Sequence, residues 1–469
     1  MKLKSILPSQ PLIMGLAVFA ALLWAPQMFN DGDTFWHLAA GNWIIDHHAV
    51  PHTDPFSFSF AGKPWLMHEW LSEVFMAIVF RLAGWSSLAV LTAGAAGLTT
   101  WIVARVAARW LGGMALWLTV MLGLSLIGPH FLMRPHILIL PLLAAWCGEL
   151  VEARADNRGP GWWLIPVMVL WDNMHGSFLF GLCLLAPFAL EAWLAAPVDG
   201  RRTAMIQWGG FGLMALVAAL ITPHGFEGLL FPVKLLIMPG IAGVTEWAAA
   251  DFSKLSPLEI GILGAVFVIV RQRAEVPLLR LVILLALVHL TFKHSRQEMV
   301  LGVLGVLLLA EPLGRTFSGS INGTPGQVKS SHMALVLTGI AVIALSGLRV
   351  ALPIAEPRTA NTPVAALAAV PADLRAQPVL NHYDTGGYLI WKGVRPFIDG
   401  RTDMYGADFF ASYNRAVSPD QATLEKTLAD YRIRWTLLRA DTGAATTMDH
   451  MPGWKRLYAD RQFVVHVRE

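Results

Sequence analysis

Long apolar segments separated by short polar stretches dominate the first 350 or so residues of the chain. One helical span of a bilayer core requires roughly 17–25 consecutive apolar residues, and eleven segments approach that length. They lie near residues 11–29, 86–104, 113–133, 135–151, 161–174, 177–196, 204–222, 257–271, 278–293, 297–311 and 333–353. This pattern predicts a polytopic α-helical membrane protein with about 11 transmembrane helices.

The long loop between the first two predicted spans, residues 30–85, has a different pattern. Apolar residues recur near helical spacing from Thr34 to His47 and again from Trp65 to Leu82. A proline-containing stretch, Val50 to Phe56, separates them. We expect two amphipathic helices that lie in the membrane interface, joined by turns.

Beyond the last predicted span the chain becomes more polar. Residues 354–376 are rich in proline and alanine and predict a linker. Strand-like runs at Arg434–Leu438 and Gln462–Val467, with a helical pattern at Pro419–Tyr431, predict a small α/β domain. The predicted organisation is therefore a transmembrane domain (1–353), a linker (354–376) and an extracytoplasmic α/β domain (377–469).

Composition supports this class and excludes others. Of 469 residues, 55% are hydrophobic and only 14% are charged, which is more apolar surface than a soluble core of this length can bury. The net charge of +3 is too small to indicate nucleic-acid binding. Cys147 and Cys183 lie in apolar segments and are interpreted as packing residues. The sequence contains no P-loop or dinucleotide-binding motif, which argues against an ATP-driven pump.

Basic residues are sorted along the chain. They occur at every second boundary of the predicted spans: Lys2, Lys4, Arg105, Arg109, Arg154, Arg158, Arg201, Arg202, Arg271, Arg273, Arg280, Arg315 and Lys329. Because short cytoplasmic loops are enriched in Lys and Arg, the N-terminus is predicted to be cytoplasmic and the first helix uncleaved. With an odd number of spans the C-terminal domain is then periplasmic, and the predicted location is the bacterial inner (plasma) membrane.

The remaining boundaries carry nearly all the potentially reactive side chains, so a site is expected on the extracytoplasmic face. Charge beside a bilayer core is costly unless it faces water or a protein cavity. The catalytic candidates are Asp31, Asp33 and Glu69. The substrate-binding candidates are His37, His68, Arg134, His136, Asn173, His175, His224, Glu246, Lys293, His294 and Arg296.

Each type of candidate residue has two interpretations, a role in catalysis or binding and a purely structural role. A carboxylate such as Asp33 can accept the proton of an attacking hydroxyl, or it can cap the helix that begins there. Glu69 has the same ambiguity because helix N-termini favour acidic residues. Arg and Lys suit a phosphate group, but near a membrane they also snorkel or pair with lipid headgroups.

Two further questions stay open at the level of sequence. A divalent cation, Mg²⁺ or Mn²⁺, is one option, and its expected ligands are then Asp31, Asp33 and Glu69. The tail carries turn-forming and charged residues at Asp384, Gly386, Gly387, Asp399, Gly400, Arg401 and Asp403. These residues indicate tight turns and an Asp399–Arg401 ion pair, with acceptor recognition as the alternative.

The motif Asp33-Thr-Phe-Trp-His37, two interfacial helices, and a many-span module followed by an external domain together resemble the GT-C superfamily of membrane glycosyltransferases. This superfamily includes oligosaccharyltransferases and protein mannosyltransferases, and the resemblance covers roughly residues 10–310 by layout. It implies a polyprenyl-phosphate-linked sugar donor, a glycan, lipid or protein acceptor, and Asp33 as the residue that activates the acceptor. The tail segments 381–391 and 397–403 resemble the external domain of uncharacterised bacterial relatives.

The expected function is that of an inverting glycosyltransferase that acts on the extracytoplasmic face, in contact with membrane lipids. A transporter or flippase of a lipid-linked or polar substrate is the alternative. Such a protein needs polar groups near the middle of the bilayer, whereas here they crowd one boundary. A third class is a non-catalytic assembly or sensor protein whose external domain binds a partner.

Overall fold

The computed structural model describes residues 8–238, 247–317, 330–418 and 420–469. A helix is present at each of the eleven predicted spans, which confirms the helical pattern of the first 353 residues. In this region the helices are α1 (Gln10–Leu22), α2 (Asp33–His47), α3 (Trp70–Ala107), α4 (Gly113–Ile127), α5 (Pro135–Ala155), α6 (Leu164–Met174), α7 (Phe178–Ala195), α8 (Arg201–Ala218), α9 (Gly225–Leu236), α10 (Pro257–Gln272), α11 (Leu278–Lys293), α12 (Glu298–Phe317) and α13 (His332–Ala351).

Six helical segments of the described chain are long and apolar enough to cross a membrane. They are Trp70–Ala107, Gly113–His130, Pro135–Ala155, Phe178–Ala195, Ser295–Phe317 and His332–Ala351. The protein is therefore an integral membrane protein. The finer count of about 11 spans, and the side of the membrane that each end faces, stay predictions.

The chain forms two compact units that are discontinuous in sequence. The first, here called the helical unit, comprises Met1–Ala25, Ser86–Pro232 and Ala242–Pro353. The second, here called the loop–tail unit, comprises Pro26–Trp85, Val233–Ile241 and Ile354–Glu469. Residues 26–85, which the sequence analysis grouped with the spans, thus fold with the tail.

Ion pairs gather at one set of helix ends in the helical unit. Arg280 is only 2% exposed and its guanidinium contacts Glu191 at 3.0 Å and Glu311 at 2.8 Å. Further pairs are Arg105–Glu152, Arg109–Asp156, Arg154–Glu191 and Arg158–Glu149. Five of the basic residues that sequence assigned to a common side therefore have acidic partners on or beside α5, on α7 or on α12: Arg105, Arg109, Arg154, Arg158 and Arg280. Arg280 is a buried structural cation.

In the loop–tail unit, α2 begins at Asp33 and ends at His47, close to the predicted interfacial helix. The second predicted helix begins at Trp70, not Trp65, because the preceding residues pair with the loop: the Trp65 N–H donates to the His52 carbonyl at 2.9 Å. Helix α3 then bends at Ala83 and Gly84, where Gly84 has φ of +60°. The bend lies between the predicted interfacial helix and the following span.

The tail contains a four-stranded mixed sheet of order β1–β2–β4–β3, with only β1 and β2 parallel. The strands are β1 (Val379–Asn381), β2 (Trp435–Arg439), β3 (Trp454–Ala459) and β4 (Phe463–Arg468). The tail helices are α14 (Val364–Ala369), α15 (Ala372–Arg375), α16 (Gly386–Trp391), α17 (Thr402–Val417), α18 (Gln421–Asp430) and α19 (Gly443–Met448). Both predicted strands are confirmed to within one residue, and the predicted helix Pro419–Tyr431 is present as Gln421–Asp430. Pro419 lies outside the described residues.

Residues 354–376 are more structured than a linker. They contain α14 and α15, and Ala366 and Leu367 are buried. Helix α14 packs against β3 and β4 of the tail sheet.

The first loop and the tail are joined by backbone and aromatic contacts within the loop–tail unit. Ser59 donates to the Phe397 carbonyl at 2.5 Å, and Phe35 packs edge-on against Tyr388 with ring centroids 5.2 Å apart. Helix α16 packs on α2, where Gly387 lies against the carbonyl of Gly32. These contacts set the position of the residues at the start of α2.

Candidate active site

Asp31 and Asp33 have different roles at the start of α2. The Asp31 carboxylate accepts a hydrogen bond from the Asp33 backbone N–H at 2.7 Å, and Asp31 is only 8% exposed. Helix starts leave N–H groups without intrahelical partners, so Asp31 serves as a local cap. Asp33 is half-buried and is the more accessible carboxylate of the two.

The Asp33 carboxylate lies against Gly400 of the tail. A Cβ atom on residue 400 would come within 2.9 Å of both carboxylate oxygens of Asp33. Real Cβ atoms do not approach oxygen that closely, so only glycine leaves the carboxylate its observed place. Gly400, which sequence analysis interpreted as a turn former, therefore forms one wall of the Asp33 site.

The neighbours of Gly400 form a buried ion network. Arg401 donates to both oxygens of Asp399 at 2.7 Å and to Asp54 at 2.7 Å, and all three side chains are buried. Tyr405 donates its hydroxyl to Asp399 at 2.7 Å. The predicted Asp399–Arg401 ion pair is present, and it extends to Asp54 of the first loop.

Electrostatics keep Arg401 charged in this network. Burial, the largest single influence, acts to lower its pKa, but the carboxylates of Asp399 and Asp54 together raise the pKa of Arg401 well above its ordinary value. The guanidinium also lies over the Trp65 ring, 4.7 Å from its centroid. Arg401 thus links the tail to the loop that follows α2 through charge and aromatic contacts.

A second polar group lies between α2 and the first turn of α3. His37 Nδ1 and Glu73 Oε1 are 3.0 Å apart, and both side chains are 1% exposed. Glu69 and His68 come just before α3, with His68 Nε2 3.6 Å from Glu69 Oε1. His68 and Glu69 therefore precede the helix that sequence analysis expected them to begin.

Asp403 lies within electrostatic range of the same group. Burial raises the pKa of Asp403 above its ordinary value; the nearby His68 acts to lower it and Glu69 acts to raise it. Asp403 lies two residues after the buried Arg401, in the first turn of α17. The tail therefore adds a further carboxyl group to those of the first loop.

The expected metal ligands, Asp31, Asp33 and Glu69, stay a prediction. Among the described residues, the His, Cys, Asp and Glu side chains placed to hold one ion are His37, Glu69 and Glu73, whose ligand atoms lie within 4.8 Å of one another. Glu69 was expected in such a set. Asp31 and Asp33 are not in it, because Asp31 caps α2 and Asp33 faces Gly400.

Several basic side chains lie at helix ends in the helical unit. Arg134 precedes α5, His136 is in its first turn, His175 follows α6 and Arg296 precedes α12. The charges of Arg296, Arg134 and His175 all act on His136, and His136 itself contacts the His130 carbonyl at 2.8 Å. We call Arg134, His136, His175 and Arg296 the basic cluster.

Both ring nitrogens of His175, in this cluster, face hydrogen-bond donors. Its Nδ1 faces the Ser177 backbone N–H at 3.0 Å, and its Nε2 faces the Arg296 guanidinium at 3.0 Å. A neutral imidazole has one acceptor nitrogen, whereas a backbone N–H and a guanidinium are donors only. One of the two contacts therefore places donor against donor, an arrangement that suits an anion.

The other predicted binding residues of the helical unit have contacts of their own. Asn173 donates to the backbone carbonyls of Val169 and Ile221 at 2.8 Å, so its amide joins α6 to the end of α8. His294 contacts the Trp247 carbonyl at 2.8 Å, and Arg296 lies over the Trp247 ring. Lys293 is exposed at the end of α11, and His224 is half-buried just before α9. Glu246 lies outside the described residues.

Sequence analysis missed two residues of these groups. Glu73 was not singled out, although its spacing of four from Glu69 places both on one face of a continuing helix. Glu298 lies 3.7 Å from His130 and adds a carboxylate beside the basic cluster. The contacts of Glu73 with His37 and of Glu298 with His130 join residues far apart in the chain, so the sequence carries no signal for these two contacts.

Comparisons with known proteins bear on the fold. No protein-family model matches the sequence, and neither does any curated protein. The apo oligosaccharyltransferase of Archaeoglobus fulgidus matches with a TM-score of 0.51 at 11% identity, covering 92% of this chain and 69% of that one. ArnT from Cupriavidus metallidurans, bound to undecaprenyl phosphate, matches with a TM-score of 0.50 at 12% identity, covering 97% of both chains. The resemblance to GT-C glycosyltransferases is confirmed at the level of the fold.

Proposed function

We propose that this protein is an inverting glycosyltransferase that moves a sugar from a polyprenyl-phosphate-linked donor to an acceptor hydroxyl at the extracytoplasmic face of the membrane. The observation that carries the proposal is the basic cluster, in which His175 is faced by two donors and which suits a phosphate group. The fold shared with ArnT, solved with undecaprenyl phosphate, supports the lipid part of the donor.

In the proposed reaction the acceptor oxygen forms a bond to C1 of the sugar as the bond from C1 to the phosphate oxygen breaks. The acceptor proton passes to the Asp33 carboxylate, and the electron pair of the broken bond leaves with the polyprenyl phosphate. Arg134 and Arg296 belong to the helical unit, and their proposed role is to bind the phosphate group of the lipid. Asp31 and Glu69 are secondary catalytic candidates, and the remaining predicted polar residues contribute to substrate binding.

The lipid-phosphate part is tested by binding. Arg296→Gln removes a charged donor, and hydrogen bonds to charged groups contribute about 1.5–3 kcal/mol, so undecaprenyl phosphate is expected to bind at least tenfold more weakly. Native mass spectrometry with a lipid titration measures this. Arg271→Gln is the matched control, because Arg271 is exposed near the end of α10 and is not one of the residues of the basic cluster.

Undecaprenol, which lacks the phosphate, separates headgroup recognition from adsorption of the lipid chain. The wild-type protein is expected to prefer undecaprenyl phosphate at least tenfold, and Arg296→Gln is expected to lose most of that preference. Equal binding of both lipids by the wild-type protein would contradict the proposed donor class. An unchanged preference in Arg296→Gln would remove Arg296 from the site.

The position of Asp33 is tested through Gly400. Gly400→Ala places a methyl group within 2.9 Å of both Asp33 oxygens, so the carboxylate must move. Misplacement of a reacting group by about 1 Å costs on the order of 100-fold in rate, and we expect a loss of at least tenfold in sugar transfer. Gly209→Ala is the control, because no atom lies within 4 Å of its added Cβ. A normal rate in Gly400→Ala would show that the contact does not position the reacting group.

A further inference from the structure

The buried carboxylate of Glu73 lacks part of its expected hydrogen bonding. One oxygen contacts His37 Nδ1 at 3.0 Å, and the other is buried without a hydrogen-bond partner among the described residues. A buried carboxylate oxygen without a donor is costly by several kcal/mol in general. A bound ion or an ordered water is one of the explanations for such an atom in a native protein.

The surroundings of Glu73 are rich in negative charge. Glu69 and Asp403 act on it as like charges, and Arg401, which acts on it with the opposite charge, is already paired with two carboxylates. The two histidines in the neighbourhood, His37 and His68, contact Glu73 and Glu69 respectively. The charges around Glu73 are mostly negative, so a bound cation would compensate them.

The ligand atoms of three side chains are close enough together to bind one cation. His37, Glu69 and Glu73 each offer a ligand atom within 4.8 Å of the others. Around an ion with metal–ligand bonds of about 2.1 Å, neighbouring ligand atoms are about 3–4 Å apart, so small side-chain rotations close the set. Trp36, whose ring centroid lies 3.6 Å from that of His37, has a buried Nε1 without a partner among the described residues, which offers a donor to a water ligand.

We propose that His37, Glu69 and Glu73 bind one divalent transition-metal ion, Mn²⁺ or Zn²⁺. One imidazole nitrogen with two carboxylates suits these ions better than Mg²⁺ or Ca²⁺, which prefer oxygen ligands alone. The ion joins α2 to the start of α3. Because His37 lies one helical turn after Asp33 in α2, the ion also holds the helix that carries Asp33.

The site is tested by metal binding, independently of any transferase activity. Full-length protein without a polyhistidine tag is stripped with chelator, dialysed, and titrated with Mn²⁺ while free Mn²⁺ is followed by electron paramagnetic resonance; Zn²⁺ is then added as competitor. One equivalent of Mn²⁺ is expected to bind and to be displaced by Zn²⁺. Glu73→Gln is expected to weaken binding at least tenfold, because it removes a ligand charge.

Two further variants keep the test decisive. Glu69→Gln changes a half-buried ligand that precedes α3, so it provides the same readout if Glu73→Gln folds poorly. Glu425→Gln is the matched control, since Glu425 is exposed on α18 and contacts Gln421. Substoichiometric binding by the wild-type protein, or unchanged affinity in a folded Glu73→Gln or Glu69→Gln variant, overturns the proposal. The proposed transferase function fails separately, through the lipid-binding and transfer experiments.

Discussion

Asp33→Asn is expected to lower sugar transfer by about 10²- to 10⁴-fold, the usual contribution of general acid–base catalysis. The amide keeps the size of the side chain and its place beside Gly400, but it cannot accept the proton of the acceptor hydroxyl. Lipid binding through the basic cluster is expected to remain at the wild-type level. The loss therefore falls on the rate of the chemical step rather than on affinity for the donor.

The assay uses undecaprenyl-phosphate and undecaprenyl-pyrophosphate donors carrying radiolabelled hexoses, N-acetylhexosamines or pentoses, with membrane extract as the source of acceptors. Asp46→Asn is the matched control, because Asp46 is in the same helix, is exposed, and pairs with Arg81. Near-normal turnover by Asp33→Asn removes Asp33 as the base. No transfer from any donor by the wild-type protein, together with movement of labelled lipid across vesicle membranes, would support the transporter alternative instead.

Arg401→Met is expected to destabilise the loop–tail unit strongly. The variant leaves Asp54 and Asp399 buried without their cation, and breaking a buried ion pair in this way costs about 3–5 kcal/mol. Because the network joins the first loop to the tail, the expected result is early loss of structure in this unit. Thermal melting followed by tryptophan fluorescence, with limited proteolysis of the tail, measures it.

Arg395→Met is the control for Arg401→Met, since Arg395 is exposed in the same segment of the tail. A triple variant that adds Asp54→Asn and Asp399→Asn is expected to recover part of the stability, because it removes the two uncompensated charges. Equal melting temperatures and equal protease resistance of Arg401→Met and Arg395→Met would show that the network contributes little.

The regular elements of the chain could be predicted from local pattern. Long apolar segments predicted helices, and those helices are present. A segment in lipid must satisfy its backbone hydrogen bonds internally, and a helix does this within a single segment. The start of α3 was misplaced by five residues, because the pairing of Trp65 with His52 depends on a contact across a loop. The helical spacing of apolar residues does not indicate a backbone hydrogen bond of this kind.

The candidate site was predicted in part. Sequence identified Asp33 and the basic residues from their position at helix ends, and it suggested the Asp399–Arg401 pair from spacing in the tail. It did not identify Glu73, and the ligands that it expected for a metal, if one is bound, were Asp31, Asp33 and Glu69. Those points depend on which side chains meet in space, and partners such as Asp54 and Arg401 are 347 positions apart.

The sequence by itself determined that this is a helical membrane protein with a small mixed tail and with its reactive side chains sorted to one set of boundaries. These properties follow from segment length, hydrophobicity and charge, which are local. Only the tertiary structure decided that the first loop folds with the tail, that Gly400 leaves room for Asp33, and that His37 meets Glu69 and Glu73. The physical reason is that close packing and charge pairing act between atoms that are near in space, regardless of their separation along the chain.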